Sequence, residues 1–210
     1  MEILSSPEID VRFIKVVYSC NSNLIRFKRS LKAKPNAAHL ALAEIYKPDV
    51  KSRVFPSAVS GPLHVTQNID ELSVRALKLL PESLSVDGLE NLLQIHGSVF
   101  GTRCLSCNHV KHDYEPFIAE SFKDLNDSNA FVDIPAEKLP KCGGDQWAGS
   151  NRYGKCGGLL RPDVVWFGEV PPLMGEVARK ITWCDFLIVI GTSAVVSCKR
   201  SKVIYPSSFL

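Results

Sequence analysis

The chain of 210 residues contains no apolar run as long as the ~18 residues that a membrane-spanning helix needs. It also lacks a strong charge imbalance, since 25 lysines and arginines stand against 22 acids, for a formal net charge of +3. Residues 1–10 carry three acids and no base, so we expect neither a signal peptide nor a clear transit peptide. These absences predict no membrane partner and give no support to a nucleic-acid partner. We expect an intracellular protein; mitochondrion, cytoplasm and nucleus all stay open.

Seven cysteines are present, an odd number, and four of them are grouped: Cys104, Cys107, Cys142 and Cys156. In a reducing compartment such a group indicates metal ligands rather than disulfides. The Cys-x-x-Cys of the first pair is typical of zinc sites, whereas 13 residues separate the second pair, which is wide. His109 and His112 are alternative ligands nearby. We predict one structural Zn²⁺ held by the four cysteines, in a closed site that leaves catalysis to other groups.

Apolar segments of strand type alternate with segments of helix type. Strands are predicted at residues 59–66, 92–95, 164–167 and 186–190, and helices at 37–45, 71–80 and 174–181. This alternation predicts an α/β fold with a doubly wound, Rossmann-like parallel sheet. Residues 102–160 are polar and glycine-rich, so we expect them to form an inserted small zinc-ribbon domain that depends on its metal. Residues 1–101 and 161–210 would then be the N-terminal and C-terminal parts of the Rossmann-like region.

Polar residues follow several of the predicted strands. Thr66-Gln67-Asn68-Ile69-Asp70 joins a strand to a helix, where it either binds a ligand or simply caps the helix. His96 ends a strand and either acts as a general base or has a structural role. Gly191-Thr192-Ser193 either offers backbone amides to a phosphate or forms an ordinary turn. Each motif is weak when it is taken alone.

In combination these motifs are far more specific. The chain contains, in order, Thr66-Gln67-Asn68-Ile69-Asp70-Glu71-Leu72, His96-Gly97-Ser98, the Cys-x-x-Cys pair, Gly157-Gly158-Leu159-Leu160-Arg161-Pro162, Val164-Val165-Trp166-Phe167-Gly168-Glu169 and Gly191-Thr192-Ser193. This series resembles the sirtuins, a family of NAD-dependent protein-lysine deacylases, over residues 35–196. The sequence of residues 161–169, together with Lys34-Pro35-Asn36 and His39, looks most like the branch that removes succinyl, malonyl and glutaryl groups.

The resemblance implies a role for each matching residue. His96 would be the proton acceptor that activates a ribose hydroxyl of NAD. The cofactor would be bound by Gln67, Asn68, Ile69, Asp70, Gly191, Thr192 and Ser193. An acylated-lysine protein substrate would pair with Val164, Val165, Trp166, Phe167, Gly168 and Glu169 by strand addition. In the family's reaction the acyl group moves to ADP-ribose with release of nicotinamide.

Two parts of the family pattern are missing. No glycine precedes Gly61, so the Gly-Ala-Gly-x-Ser loop that holds the dinucleotide is absent, and residues 197–210 depart from the family. We therefore expect an incomplete sheet, doubtful activity and a gene model truncated at both ends. The branch that removes succinyl groups has an acyl-selecting Tyr-x-x-Arg motif, which should lie upstream of Pro35-Asn36. Counting back without gaps places Arg26 at the arginine and Asn23 at the tyrosine of that motif. Arg26 is therefore the candidate for binding a substrate carboxylate. The alternative function is a non-catalytic, zinc-stabilised module that binds acyl-lysine or a protein.

Overall fold

A computed structural model describes residues 24–57, 61–114, 138–143 and 156–191. The elements in chain order are α1 (residues 24–32), α2 (Ala37–Glu44), α3 (Pro48–Val54), β1 (His64–Thr66), α4 (Leu72–Leu77), α5 (Glu82–Glu90), β2 (Leu92–Gln94), β3 (Gly97–Cys104), β4 (Val110–His112), β5 (Leu160–Val164) and α6 (Met174–Ile181). Within these ranges no helix is both long and apolar enough to cross a membrane.

Strands β1 and β2 form a parallel pair, as the alternation of strands and helices predicts. His64 lies opposite Leu92 and Thr66 opposite Gln94. Leu93 and Ile95 are buried here against Val177 of α6, because a parallel pair needs apolar cover. The two strands end together, which brings residues 67–70 next to His96.

Helix α2 begins where the sequence predicts. The side chain of Asn36 accepts a hydrogen bond from the backbone N–H of His39, and the His39 ring bonds back to the Asn36 backbone. This reciprocal cap satisfies amides that the first helical turn leaves without partners. Ala43 and Tyr46 then pack against Ala76 and Leu77 of α4, so α2 lies against the helix that follows β1.

A second sheet, antiparallel and in the order β4-β3-β5, was not predicted from the sequence. Cys104 of β3 lies opposite Leu160 of β5, and Arg103 lies opposite Val110 of β4. Its glycines and polar residues hide the alternation by which a strand is recognised. Strand β3 crosses the domain boundary predicted between residues 101 and 102, and β5 crosses the one predicted between residues 160 and 161. Those boundaries stay a prediction.

Two expectations about the C-terminal part are wrong. The strand predicted at residues 164–167 ends at Val164, and residues 165–169 form a turn in which Phe167 is 96% exposed. Residues 186–190 form no strand, and their side chains are 51–65% exposed. Cys184, just before this run, is exposed as well. A buried strand needs neighbours on its edges and faces, and none of the described elements covers this run.

Candidate functional site

The four clustered cysteines come together as predicted. Their sulfur atoms all lie within 4.8 Å of one another, with Cys104 and Cys156 3.5 Å apart and Cys107 and Cys142 3.8 Å apart. Four sulfurs placed 2.3 Å from one zinc ion at tetrahedral angles would be about 3.8 Å apart. These distances exceed the length of a disulfide, so the four sulfurs are not paired as disulfides. The cluster therefore fits one tetrahedral zinc ion.

The backbone around the cluster is arranged to stabilise thiolates. The amides of Ser106 and Cys107 point at the Cys104 sulfur at 3.4 and 3.5 Å, and the amide of Gly158 points at the Cys156 sulfur at 3.3 Å. A Cβ on residue 158 would clash with the Ser106 side chain and approach the Cys104 sulfur to 2.9 Å. A side chain at residue 158 would therefore need its neighbours to shift, and glycine avoids this.

His96 is held by residues from the neighbouring strand end. Its Nδ1 lies 3.0 Å from the carbonyl oxygen of Gln67, and its own carbonyl accepts the amide of Val165 at 3.0 Å. Since a carbonyl only accepts, Nδ1 carries the proton, and in the neutral ring Nε2 keeps its lone pair. The next residue, Gly97, has φ +78° and packs against the Asp163 carbonyl so closely that a Cβ would clash. Thus Gly97 lets the chain turn directly after the histidine.

The segment 67–70 begins as an open loop and ends in a helix cap. Gln67 and Asn68 are exposed, whereas Ile69 packs against the cluster formed by Phe27, Val99, Phe100 and Val164. The carboxylate of Asp70 accepts the amide of Leu72, the first residue of α4, at 3.0 Å and so satisfies one amide of the first turn, although the N-cap residue is Glu71, whose side chain makes no capping bond. The Gln67 and Asn68 side chains are thereby the polar groups of this segment that face solvent beside His96.

Glu71, which the sequence marks only as the start of a helix, is a buried acid. Its side chain is 5% exposed and its backbone adopts a left-handed conformation with φ +55°. The Ser98 hydroxyl donates to it at 2.6 Å and the Tyr114 hydroxyl at 3.0 Å, and His112 Nδ1 lies 3.5 Å away. No local sequence pattern signals this convergence, because the three partners lie on distant parts of the chain.

The environment of Glu71 sets its charge. Burial raises the pKa of its carboxyl, but the hydrogen bonds of its partners, with His112 contributing most, outweigh burial and leave the pKa below its ordinary value. In return, the hydrogen bond to Glu71 raises the pKa of His112. Burial first and then this carboxylate raise the pKa of Tyr114. Glu71 is thus an ionised group at neutral pH inside the protein.

The remaining predicted site residues are partly described. Val164 is the last residue of β5, and residues 165–169 form the turn that follows it, beside His96 at Val165. Arg26 lies on the exposed face of α1, and Gly191 has φ +67°. Thr192, Ser193 and Asn23 fall outside the described residues. The binding roles of all these residues stay predictions.

Comparison with known proteins identifies the family. Residues 13–198 match the Sir2 family. The chain is 44% identical over 171 residues to "NAD-dependent protein deacylase sirtuin-5, mitochondrial" of Canis lupus familiaris, over 79% of this chain and 47% of the relative. It is 31% identical over 214 residues to "NAD-dependent protein deacylase" of Pyrococcus furiosus, over 100% of this chain and 63% of that protein. A solved structure of a Sir2 homolog–NAD complex superposes with a TM-score of 0.57 at 30% identity, covering 91% of this chain and 56% of the other.

The chain therefore belongs to the Sir2 family, and the resemblance read from its motifs is confirmed. The α/β fold with a parallel sheet and a cysteine cluster agrees with that family. The chain spans about half the length of the sirtuin-5 relatives it matches, 47% for the dog protein.

Proposed function

We propose that this chain carries the acyl-transfer site of an NAD-dependent protein-lysine deacylase, with His96 as its general base. The observation that carries the proposal is the 3.0 Å contact between His96 Nδ1 and the Gln67 carbonyl. This bond orients the ring and leaves Nε2 as the basic nitrogen, ready to take a proton from a hydroxyl placed beside it. The names of the relatives, which are NAD-dependent protein deacylases, support the same chemistry.

NAD, when bound, would supply a ribose with nicotinamide as its leaving group. Gln67 and Asn68 would hold its polar groups, because they stand exposed next to His96. Ile69 and Asp70 would set the direction of this segment through packing and the helix cap. Gly191, Thr192 and Ser193 would offer backbone amides to the cofactor.

An acylated-lysine protein would bind along Val164, at the end of β5, and the turn 165–169. Phe167 stands 96% exposed at its tip, and Val165 is bonded to the His96 carbonyl. A peptide that pairs with this turn would thus place its lysine near the base. Arg26 is the candidate for a substrate carboxylate. The cysteine cluster would hold Zn²⁺ and keep β3 and β5 together, without a catalytic role.

We expect the 210-residue polypeptide to be a slow catalyst, because no glycine precedes Gly61 and a phosphate-holding glycine loop is therefore absent from it. The sirtuin-5 relatives are named mitochondrial, which makes the mitochondrion the first compartment to test by imaging a tagged protein.

The test measures nicotinamide release from NAD by mass spectrometry, with acetyl-lysine and succinyl-lysine peptides at high protein concentration. We expect slow release that His96→Ala lowers by about 10²- to 10⁴-fold, the usual contribution of a general base. His39→Gln is the matched control, because glutamine at this position also supports the cap of α2. Absence of release with either peptide, or equal rates for wild type and His96→Ala, refutes the proposal.

The second candidate is a non-catalytic module that binds acyl-lysine peptides. It is favoured by the complete cysteine cluster and the ordered turn 165–169, since neither needs NAD. Titration of a succinyl-lysine peptide without NAD distinguishes the two candidates. Binding without any nicotinamide release supports the module, and no binding refutes it.

A further inference from the structure

Glu71 connects the two segments to which the proposed chemistry is assigned. It directly follows Asp70 at the end of the segment 67–70, and it accepts a hydrogen bond from Ser98, two residues beyond His96. The Ser98 hydroxyl in turn accepts the amide of Phe100 at 3.0 Å, which holds the hydroxyl in place. A direct link between the start of α4 and the start of β3 therefore runs through one carboxylate.

Two further donors reach Glu71 from the end of β4. Tyr114 donates at 3.0 Å, and His112 lies 3.5 Å away on the strand that pairs with β3. A charge that is 95% removed from solvent is costly unless such partners compensate for it. The cost is increased by the left-handed backbone of Glu71, which a residue with a Cβ rarely adopts. A residue that serves only to begin a helix would need neither feature.

We propose that Glu71 is a positioning residue. It holds residues 67–70 and residues 96–98 in the relative position that lets the Gln67 carbonyl orient the His96 ring. The inference rests on the proposed function for the importance of that ring, and it concerns only how the ring is held. Glu71 is buried and is assigned no contact with a reactant. It acts through the hydrogen bond from Ser98 on one side and the peptide backbone of residues 67–70 on the other.

The consequence is a measurable preference of His96 for one tautomer. With Gln67 as acceptor, the neutral ring carries its proton on Nδ1. If the hydrogen bond from Ser98 to Glu71 is lost, the carbonyl oxygen of Gln67 moves away from the His96 ring. The preference of His96 for the Nδ1–H tautomer then weakens. The loss of one hydrogen bond changes such an equilibrium by about fivefold.

The experiment is nitrogen NMR of histidine-labelled protein at a pH at which His96 is neutral, with the His96 signals assigned from His96→Ala. Glu71→Met keeps the approximate length of the side chain and removes both acceptor oxygens, so the Ser98 hydroxyl loses this partner. We expect the ratio of Nδ1–H to Nε2–H forms of His96 to fall about fivefold in this variant. Glu90→Met, the same change at the exposed end of α5, should leave the ratio unchanged.

Two milder variants keep the test decisive if Glu71→Met does not fold. Ser98→Ala removes the link to the His96 segment, and Tyr114→Phe removes a donor from a side chain that is 50% exposed. We expect Ser98→Ala to shift the His96 ratio more than Tyr114→Phe. Unchanged His96 signals in the folded variants would show that Glu71 serves stability alone, and would overturn the inference. Because the readout uses no NAD, absence of nicotinamide release would refute the proposed function without touching this result.

Discussion

Arg161 and Glu169 form a bidentate ion pair that closes the turn between β5 and α6. The distances are 2.7 Å from Nη1 to Oε1 and 2.8 Å from Nη2 to Oε2. The guanidinium lies 3.8 Å from the centre of the Trp166 ring, and the Trp166 amide donates to Glu169 at 2.9 Å. The shape of the proposed substrate turn is therefore set by a charge pair that the protein itself provides.

This pair predicts a measurable coupling energy. In a double-mutant cycle with Arg161→Met and Glu169→Gln, we expect urea unfolding to give a coupling of about 1–2 kcal/mol, because the arginine is nearly buried while the acid is partly exposed. The control cycle uses the solvent-exposed pair Glu44–Lys47, at 2.8 Å, with Glu44→Gln and Lys47→Met. There the coupling should stay below about 0.5 kcal/mol. Equal couplings in the two cycles would contradict the closing role.

The cysteine cluster predicts a metal-dependent fold. Metal analysis of the purified protein should give about one zinc per chain, and a chelator should lower its melting temperature. Cys104→Ser should lose most of the zinc, since this side chain is 0% exposed in the centre of the cluster. Cys184→Ser, at an exposed thiol, should keep it. Full zinc content in Cys104→Ser would rule out the predicted ligand set.

Gly97 predicts a strong sensitivity to one added methyl group. Gly97→Ala should lower the free energy of unfolding by at least about 2 kcal/mol, because the left-handed backbone and the contact with the Asp163 carbonyl both oppose a Cβ. The same change in an open helical position, Gly175→Ala in α6, should instead raise stability by about 0.5–1 kcal/mol. Chemical denaturation measures both. A neutral Gly97→Ala would be incompatible with the close approach.

The contact between Glu71 and His112 predicts a pH dependence of stability with two limits. The pKa of His112 lies above its ordinary value of 6.5, because the Glu71 hydrogen bond outweighs burial. The contribution of charged His112 to the stability of the fold is therefore complete below pH 6.5 and is lost as pH rises through the raised pKa. For Glu71, burial raises the pKa, but the donors lower it below 4.5. The contribution of ionised Glu71 to the stability of the fold is therefore present above pH 4.5 and is lost as pH falls through the lowered pKa.

The measurement compares wild type with His112→Gln by urea unfolding between about pH 6 and pH 9. We expect the stability advantage of the wild type to be largest at the acid end and to shrink as pH rises. Any titration of the cysteine cluster affects both proteins and cancels in the difference. An advantage that grows toward high pH would have the wrong sign and would exclude a charged His112.

Local spacing predicted the elements that depend on near neighbours. The Asn36 cap, the helix Met174–Ile181 and the short strand before His96 all follow from residues within a few positions of one another. The strand β3 did not, because its glycines and polar residues hide its alternation. For residues 186–190 the opposite happened: a buried strand was predicted, and the residues are exposed. Apolar residues predict burial only where other elements cover them.

The sequence by itself determined the chemistry that this protein has available: four thiolates at zinc spacing, a histidine at a strand end and a series of motifs that belongs to the Sir2 family. Only the tertiary structure decided which groups meet. It joined Glu71 to Ser98 and Tyr114, turned His96 toward the Gln67 carbonyl and closed Arg161 onto Glu169. Residue types and spacings are properties of the chain, whereas hydrogen bonds between distant segments depend on packing, which places buried charges where partners compensate for the loss of water.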